Sequence, residues 1–440
     1  PVVPPPTPSP QSPPRADMFF RNHFPRAVGI AVTVWAAGQR GIAQEALRNA
    51  LLTDASARLR EQPVVRPAED VLRIGPVTFD VSLGYSIDAS DNIRYSHTDR
   101  EEDLISRPWA SVGVNYVVTR NSRLTFGGRF GYNDYIKHSD LDTFFVTPDS
   151  EVAFDVRVRD GVITVYDRID YSQDVATVGA LSGVAEFRRL QNLAGIRGIW
   201  QLDDWMLQGG YGHLNVLGLG EGLEYLDRTD EQLFGRVGHR LYSSGQIGIE
   251  TSGTWSEYTL PSQNDSFGVS IGPFVSWRAG EAFRISVRGG LAYTTFQSTN
   301  SVVDDSELTS YYAGLELDHH LTRHITHGLT ATHDIRPGVN PNSDFIESTH
   351  VNYHMTWAFH RYARLSVVLF GEVSEDRRAD QSVSVVNESY KHGGASAELF
   401  YQLTQRVSLL GRYAFTVRDS DQESRKYREN RATLGASYRF

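Results

Sequence analysis

The densest group of metal-competent side chains is the tract Asp318-His319-His320-Leu321-Thr322-Arg323-His324-Ile325-Thr326-His327. Neutral imidazoles beside a carboxylate are ligands for Zn²⁺ or Cu²⁺. A tight hairpin centred on Arg323 sets His319 and His327 opposite each other on one face, which supplies only two ligands. Interfacial and turn histidines are therefore the expectation, with no metal site and no cofactor. A second constellation is charge at alternate positions. Arg129, Arg157, Arg159, Arg197, Arg236, Arg240, Arg284, Arg288, Arg364, Arg412 and Arg431 share the polar side of an alternating pattern with Asp80, Asp155, Glu316, Asp318, Glu372 and Glu398. Inside a pore, rings of such charge select and orient permeating solutes. Because both signs are present, pairing that merely fills a polar interior is an equal alternative. Arg129, Arg157, Arg159, Arg284, Arg288, Arg412, Glu316, Glu372 and Glu398 are the pore-lining candidates. Acyl-transfer chemistry needs a nucleophile with a base in reach. Here Ser and His are scattered, and no Gly-x-Ser-x-Gly elbow, P-loop, HExxH or dinucleotide fingerprint stands in its required context. No enzymatic activity is expected.

The elements that must position these charges are strands. At the C-terminus, Phe440, Tyr438, Ala436, Leu434 and Ala432 fall on one face, while Arg439, Ser437, Gly435, Thr433 and Arg431 fall on the other. Side chains alternate along a strand, so one face is apolar and the other wet. The same division recurs in Val77–Phe79–Val81–Leu83–Tyr85, in Leu124–Phe126–Gly128–Phe130–Tyr132 and in Val351–Tyr353–Met355–Trp357–Phe359. Two kinds of connection alternate between the segments. Short ones include Thr119-Arg120-Asn121-Ser122, Arg159-Asp160-Gly161 and Ser243-Ser244-Gly245. Long polar ones fall near 88–107, 138–150, 174–187, 218–231, 260–265, 298–308, 337–347, 376–389 and 419–428. About eighteen antiparallel strands (sixteen is the nearby alternative) joined in this way make an up-and-down transmembrane barrel with short periplasmic turns and long outer loops. Each such strand has the roughly nine to eleven residues needed to cross a bilayer with tilt. Asp167 falls on the nominal lipid face, as do His319, His327 and His333. Pro273 interrupts one strand, and a bulge or local change of face is expected there.

Composition agrees. The mean hydropathy is −0.36 and no run of 18 apolar residues exists, which excludes helical spans. A barrel escapes that test because only alternate residues meet lipid. The net charge of −10 argues against nucleic-acid binding, and there is no Cys. Near the start, Arg21 and Arg26 precede the apolar stretch 27–38, followed by small residues in Gly41-Ile42-Ala43. This layout predicts a signal peptide over 18–43. Residues 1–17 are expected to be a non-native or mis-started Pro-rich leader. A periplasmic helix and linker are expected over 44–76, and the barrel over 77–440.

The terminal Phe440 with Tyr438 resembles the C-terminal β-signal of bacterial outer-membrane barrels. Ser90-Asp91-Asn92-Ile93, Ile105-Ser106-Arg107-Pro108 and the recurrent pieces Gly131-Tyr132 and Gly210-Tyr211 resemble the β-barrel porins found beside exopolysaccharide export systems. The resemblance implies outer-membrane residence, insertion by the barrel-assembly machinery reading Phe440 and Tyr438, and contact with lipid and lipopolysaccharide. Homo-oligomers are compatible with it. Passive passage of small hydrophilic solutes is the expected function. The alternatives are a conduit or accessory barrel for polysaccharide export, passing oligosaccharides, and a plugged structural or adhesive barrel.

Overall fold

The computed structural model describes residues 72–172, 187–220, 222–242, 244–260, 263–297, 306–340, 343–377 and 388–440. The leader, the signal peptide and nearly all of the expected N-terminal helix and linker lie outside the described residues. Within the expected linker, β1 (Leu72–Ile74) already forms and pairs with β2 (Val77–Ser90). The wall continues through β3 (Asp103–Thr119), β4 (Ser122–Tyr135), β5 (Thr143–Val158), β6 (Gly161–Ser172), β7 (Arg189–Leu202), β8 (Trp205–Gly218) and β9 (Arg228–Leu241). It then runs through β10 (Gly245–Tyr258), β11 (Asp265–Ala279), β12 (Phe283–Gln297), β13 (Ser306–His320), β14 (Ile325–Pro337) and β15 (Phe345–His360). The last four strands are β16 (Ala363–Arg377), β17 (Glu388–Gln402), β18 (Val407–Ser420) and β19 (Tyr427–Arg439). Every strand pairs antiparallel with its sequence neighbour, and β19 returns to β2 from Arg431↔Ser90 to Arg439↔Ser82. The result is a closed barrel of 18 strands. Closure gives each of β2–β19 a hydrogen-bonded neighbour on both sides, so the wall presents no edge strand to hydrocarbon.

The alternation determines which way each side chain points. On β2, Leu83, Tyr85 and Ile87 are 49, 47 and 43% exposed on the outside, while the intervening Ser82, Gly84 and Ser86 face the lumen. Outward Leu, Ile, Val and Phe side chains recur on the other strands, among them Ile249, Ile271, Leu291 and Leu434 at 58, 58, 66 and 73%. Aromatic side chains collect at the turn-side rim, where Trp277 meets Phe283, Trp357 meets Phe359 and Tyr438 meets Phe440. An apolar belt flanked by aromatic girdles on a closed antiparallel cylinder is a transmembrane barrel of the bacterial outer membrane. Phe440 completes the belt: its backbone N–H donates to the Val81 carbonyl at 3.0 Å, across the closing seam.

Three expectations are corrected. The 18 wall strands β2–β19 run 12 to 17 residues rather than nine to eleven, because the wall continues past the bilayer into the loop regions. The segment 138–150 is mostly strand, since β5 starts at Thr143. Pro273 introduces neither a bulge nor a change of face. Register is the same on both sides of it, Ile271↔Leu291 and Phe274↔Arg288, and only the local ladder bonds are missing. The backbones close tightly around it because Gly272 faces glycines. A Cβ at Gly272 would lie 2.0 Å from the Gly289 carbonyl oxygen.

Candidate functional site

The inner wall differs between its two ends. From mid-wall toward the short turns, inward charges remain accessible: Arg129 at mid-wall, Arg157 and Glu316 are exposed, and Arg284, Arg412 and Glu398 are half-buried. Arg129 lies 4.6 Å above the Trp109 ring. The ring can lie flat on the wall because its cross-strand partner is Gly84, where a Cβ would sit 2.1 Å from the indole. Arg412 is opposite Glu398, and Arg284 is opposite both Asp318 and Arg278. Among the described residues, Arg129, Arg157 and Arg284 make no ion pair with a carboxylate.

Toward the long loops, the inward charges are buried and paired. Arg107 meets Asp88 at 2.6 Å, Arg168 meets Glu151 at 2.6 Å and Arg228 meets Asp230 at 3.1 Å. Glu372, with no side-chain exposure, accepts from Arg336 at 3.2 Å, Ser374 at 2.8 Å, Ser348 at 3.1 Å and Tyr390 at 3.3 Å. Glu388 accepts from Arg418 at 2.6 Å and pairs with Arg425 at 3.0 Å. Buried carboxylates persist only when paired and hydrogen-bonded in this way. Glu372 is therefore corrected from a pore-lining residue to the centre of a sealed network. Arg159 is corrected too: it occupies the β5–β6 turn at φ 50°, off the wall. Arg288 does face inward, opposite Phe274 and Gly314, near the Glu250 that takes hydrogen bonds from Tyr312 at 3.3 Å and pairs with Arg236 at 3.5 Å.

Sequence reasoning missed what closes the loop end. Loops L1 (91–102), L4 (219–227) and L7 (338–344) emerge six strands apart around the barrel and converge. Tyr95 of L1, Leu223 and Leu226 of L4, and Ile346 just after L7 form one buried cluster with Phe187, Tyr390 and Tyr427. Tyr225 and Val339 pack on it, and the Tyr225 hydroxyl donates to the Val339 carbonyl at 2.9 Å. Burial pushes the Tyr225 phenol up to about 12, so it remains a donor at physiological pH.

Asn340 pins L7: its Nδ2 donates to Asp376 at 2.5 Å, its Oδ1 accepts from Arg425 at 2.9 Å and its carbonyl accepts from Gln263 at 2.8 Å. Ser343 donates to the same Asp376. L1 is tied to the wall by Asn92, whose Nδ2 donates to the Arg428 carbonyl at 3.0 Å and whose Oδ1 accepts from the Ser96 N–H at 3.0 Å. Tyr95 is held at φ 51°, a left-handed conformation uncommon for a bulky residue, while its hydroxyl accepts from Arg431 at 2.8 Å. Asp91 and Asn92 belong to the motif singled out in the sequence. Their structural role is to tether L1 to β19, since Asp91 also accepts from Asn430 at 2.7 Å.

On the outer wall, a depression lined by Trp200, Leu207, Gly209, Gly235 and Thr251 faces acyl chains and not the lumen. Among the described residues, no group of three or more His, Cys, Asp or Glu side chains is placed to hold a metal ion.

The sequence matches no protein-family model and no curated protein. Among solved structures it is similar to OccAB3 of Acinetobacter baumannii, with 10% identity over 83% of this chain and 100% of that one and a TM-score of 0.46. It is also similar to a BenF-like porin from Pseudomonas fluorescens Pf-5, with 12% identity, 83% and 100% coverage and a TM-score of 0.48. A third similar structure is the outer membrane protein OpdK of Pseudomonas aeruginosa, with 12% identity, 83% and 98% coverage and a TM-score of 0.45. At such identities and scores, nothing about solute or selectivity transfers to this chain.

Proposed function

We propose that this barrel is a passive channel for small hydrophilic solutes, with a narrow outer mouth, a mild preference for anions and no catalytic role. The observation that carries the reading is a polar inner wall inside a closed 18-strand cylinder, accessible and charged on the turn side. Eighteen strands enclose room for an aqueous passage. Guanidinium groups stay charged at any physiological pH, and in a confined lumen their field raises the local anion concentration. Arg129, Arg157 and the cross-strand pair Arg278 and Arg284 supply that field, while Glu398 offsets Arg412 and Asp318 partly offsets Arg284 across their strand pairs. The test is the reversal potential in a salt gradient, for wild type and for Arg129→Ser with Arg284→Ser. The proposal expects anion selectivity that weakens in the double variant. A cation-selective wild type, or unchanged selectivity in the variant, removes these arginines from the mechanism.

A second reading, a barrel that stays plugged, is favoured by the apolar convergence of L1, L4 and L7. It predicts no conductance even after the loops are loosened. The polysaccharide-conduit alternative, and with it the resemblance to export-associated barrels, gains no support. Inward Phe274, Tyr312 and Tyr166 are 1, 3 and 4% exposed and offer sugars no surface to stack on, and the half-buried Trp109 is covered by Arg129 at 4.6 Å. Assembly through Phe440 and Tyr438, the signal peptide over 18–43 and any oligomer remain parts of the proposal.

A further inference from the structure

We propose that His319, His327 and Met355 form a copper-binding site on the turn-side rim of the outer wall. The three residues belong to adjacent strands and stand in one row. His319 is the cross-strand partner of His327, and His327 is the partner of Met355. Directly opposed residues have Cβ atoms about 4.5–5.5 Å apart, within the span of one metal centre. All three face outward, on the parity of Leu317, Leu329 and Tyr353, and all three are half-buried.

The nitrogens already converge. His319 Nδ1 and His327 Nε2 are 3.0 Å apart, with ring centroids 5.0 Å apart. Two nitrogens held about 2.1 Å from one metal at a right angle are about 3.0 Å apart, whereas a tetrahedral angle separates them by about 3.4 Å. The hydrogen-bonded pair therefore needs only a few tenths of an ångström of movement to take either geometry. The third ligand decides the metal. A thioether is a soft donor that selects Cu(I), and the flexible methionine side chain can turn its sulfur toward the histidines. Phe283 packs on His319 at 5.8 Å and Tyr353 on His327 at 5.9 Å, restricting both rings. The short turn at 321–324 puts this row at the periplasmic interface, where aqueous copper can reach it. In the metal-free protein one imidazole donates to the other; metal binding moves that proton to the donor ring's other nitrogen, so that both facing nitrogens present lone pairs to the metal.

The test uses the full chain, untagged and folded in detergent. Cu(II) is titrated and followed by electron paramagnetic resonance, and Cu(I) is followed by competition with a chromophoric chelator. One copper per chain with nitrogen ligation is expected. His327→Gln lowers affinity for both ions at least about tenfold. Met355→Leu lowers Cu(I) affinity about tenfold and leaves Cu(II) within about threefold. His320→Gln with His324→Gln changes neither, since His320 faces inward and His324 lies in the turn. Heat-modifiable gel mobility confirms that each variant is a folded barrel. Absence of saturable binding, binding that survives His327→Gln, or Cu(I) affinity indifferent to Met355→Leu would overturn the site.

Discussion

Asn340→Ala should open the outer mouth without weakening the barrel. The substitution removes two side-chain hydrogen bonds to charged partners, one to Asp376 at 2.5 Å and one from Arg425 at 2.9 Å. A hydrogen bond to a charged group contributes about 1.5–3 kcal/mol. The lower end applies, because Asp376 keeps Ser343 and Arg425 keeps Glu388 at 3.0 Å. Together the two losses come to about 3 kcal/mol, which lowers the ratio of closed to open mouth by about 150-fold. The Asn340 carbonyl still accepts from Gln263, so L7 is loosened rather than freed. No wall ladder bond involves Asn340, so the melting temperature and heat-modifiable mobility should match wild type. The assay is single-channel recording in a planar bilayer, comparing open probability and the size of the conductance steps. Both should rise in Asn340→Ala. A correctly folded variant with wild-type open probability would refute the idea that Asn340 latches L7 over the mouth.

Leu409→Arg places a charge on the lipid face and should destabilise the barrel, by less than the roughly 2–4 kcal/mol of a mid-plane arginine because Leu409 lies two residues above the turn-side rim, whereas Ser408→Arg points into the lumen and should cost still less; equal losses in denaturant titrations would mean that the faces are misassigned. A cysteine at exposed Asp140 should react with an impermeant thiol reagent on intact cells, and one at Ser244 in the β9–β10 turn should not; the opposite pattern would invert the topology. Phe440→Asp removes the ring that packs on Tyr438 at 5.0 Å and charges the closing seam, so folded barrel in the outer membrane should fall sharply. Normal folded yield in that variant would count against Phe440 as an assembly signal.

The wall was legible in the sequence because a strand repeats every two residues and lipid enforces the pattern at every step. Leu83, Tyr85 and Ile87 needed only to be counted, and so did the inward placement of Arg129, Arg284 and Glu398. Parity reports direction but not height along the strand or what covers a side chain. Glu372 is inward as expected, yet Arg336, Ser348, Ser374 and Tyr390 bury it. Arg159 was misassigned because it directly follows Val158, the last residue of β5, and already occupies a left-handed turn position. Pro273 suggested an irregularity that the facing glycines absorb. The closure of the mouth was invisible: Tyr95, Leu226 and Val339 lie in three polar loops far apart in sequence, and only the closed cylinder brings them together. A likewise hidden juxtaposition is Met355 opposite His327, which has no signature in local spacing.

The central claim is that the lumen conducts. Insertion of the refolded wild-type protein into a planar bilayer in potassium chloride tests it most directly. Discrete, ohmic conductance steps with frequent closures, carried preferentially by chloride, are the predicted result. A folded barrel that gives no steps, both as wild type and as Asn340→Ala, would contradict the channel and leave the plugged barrel in its place.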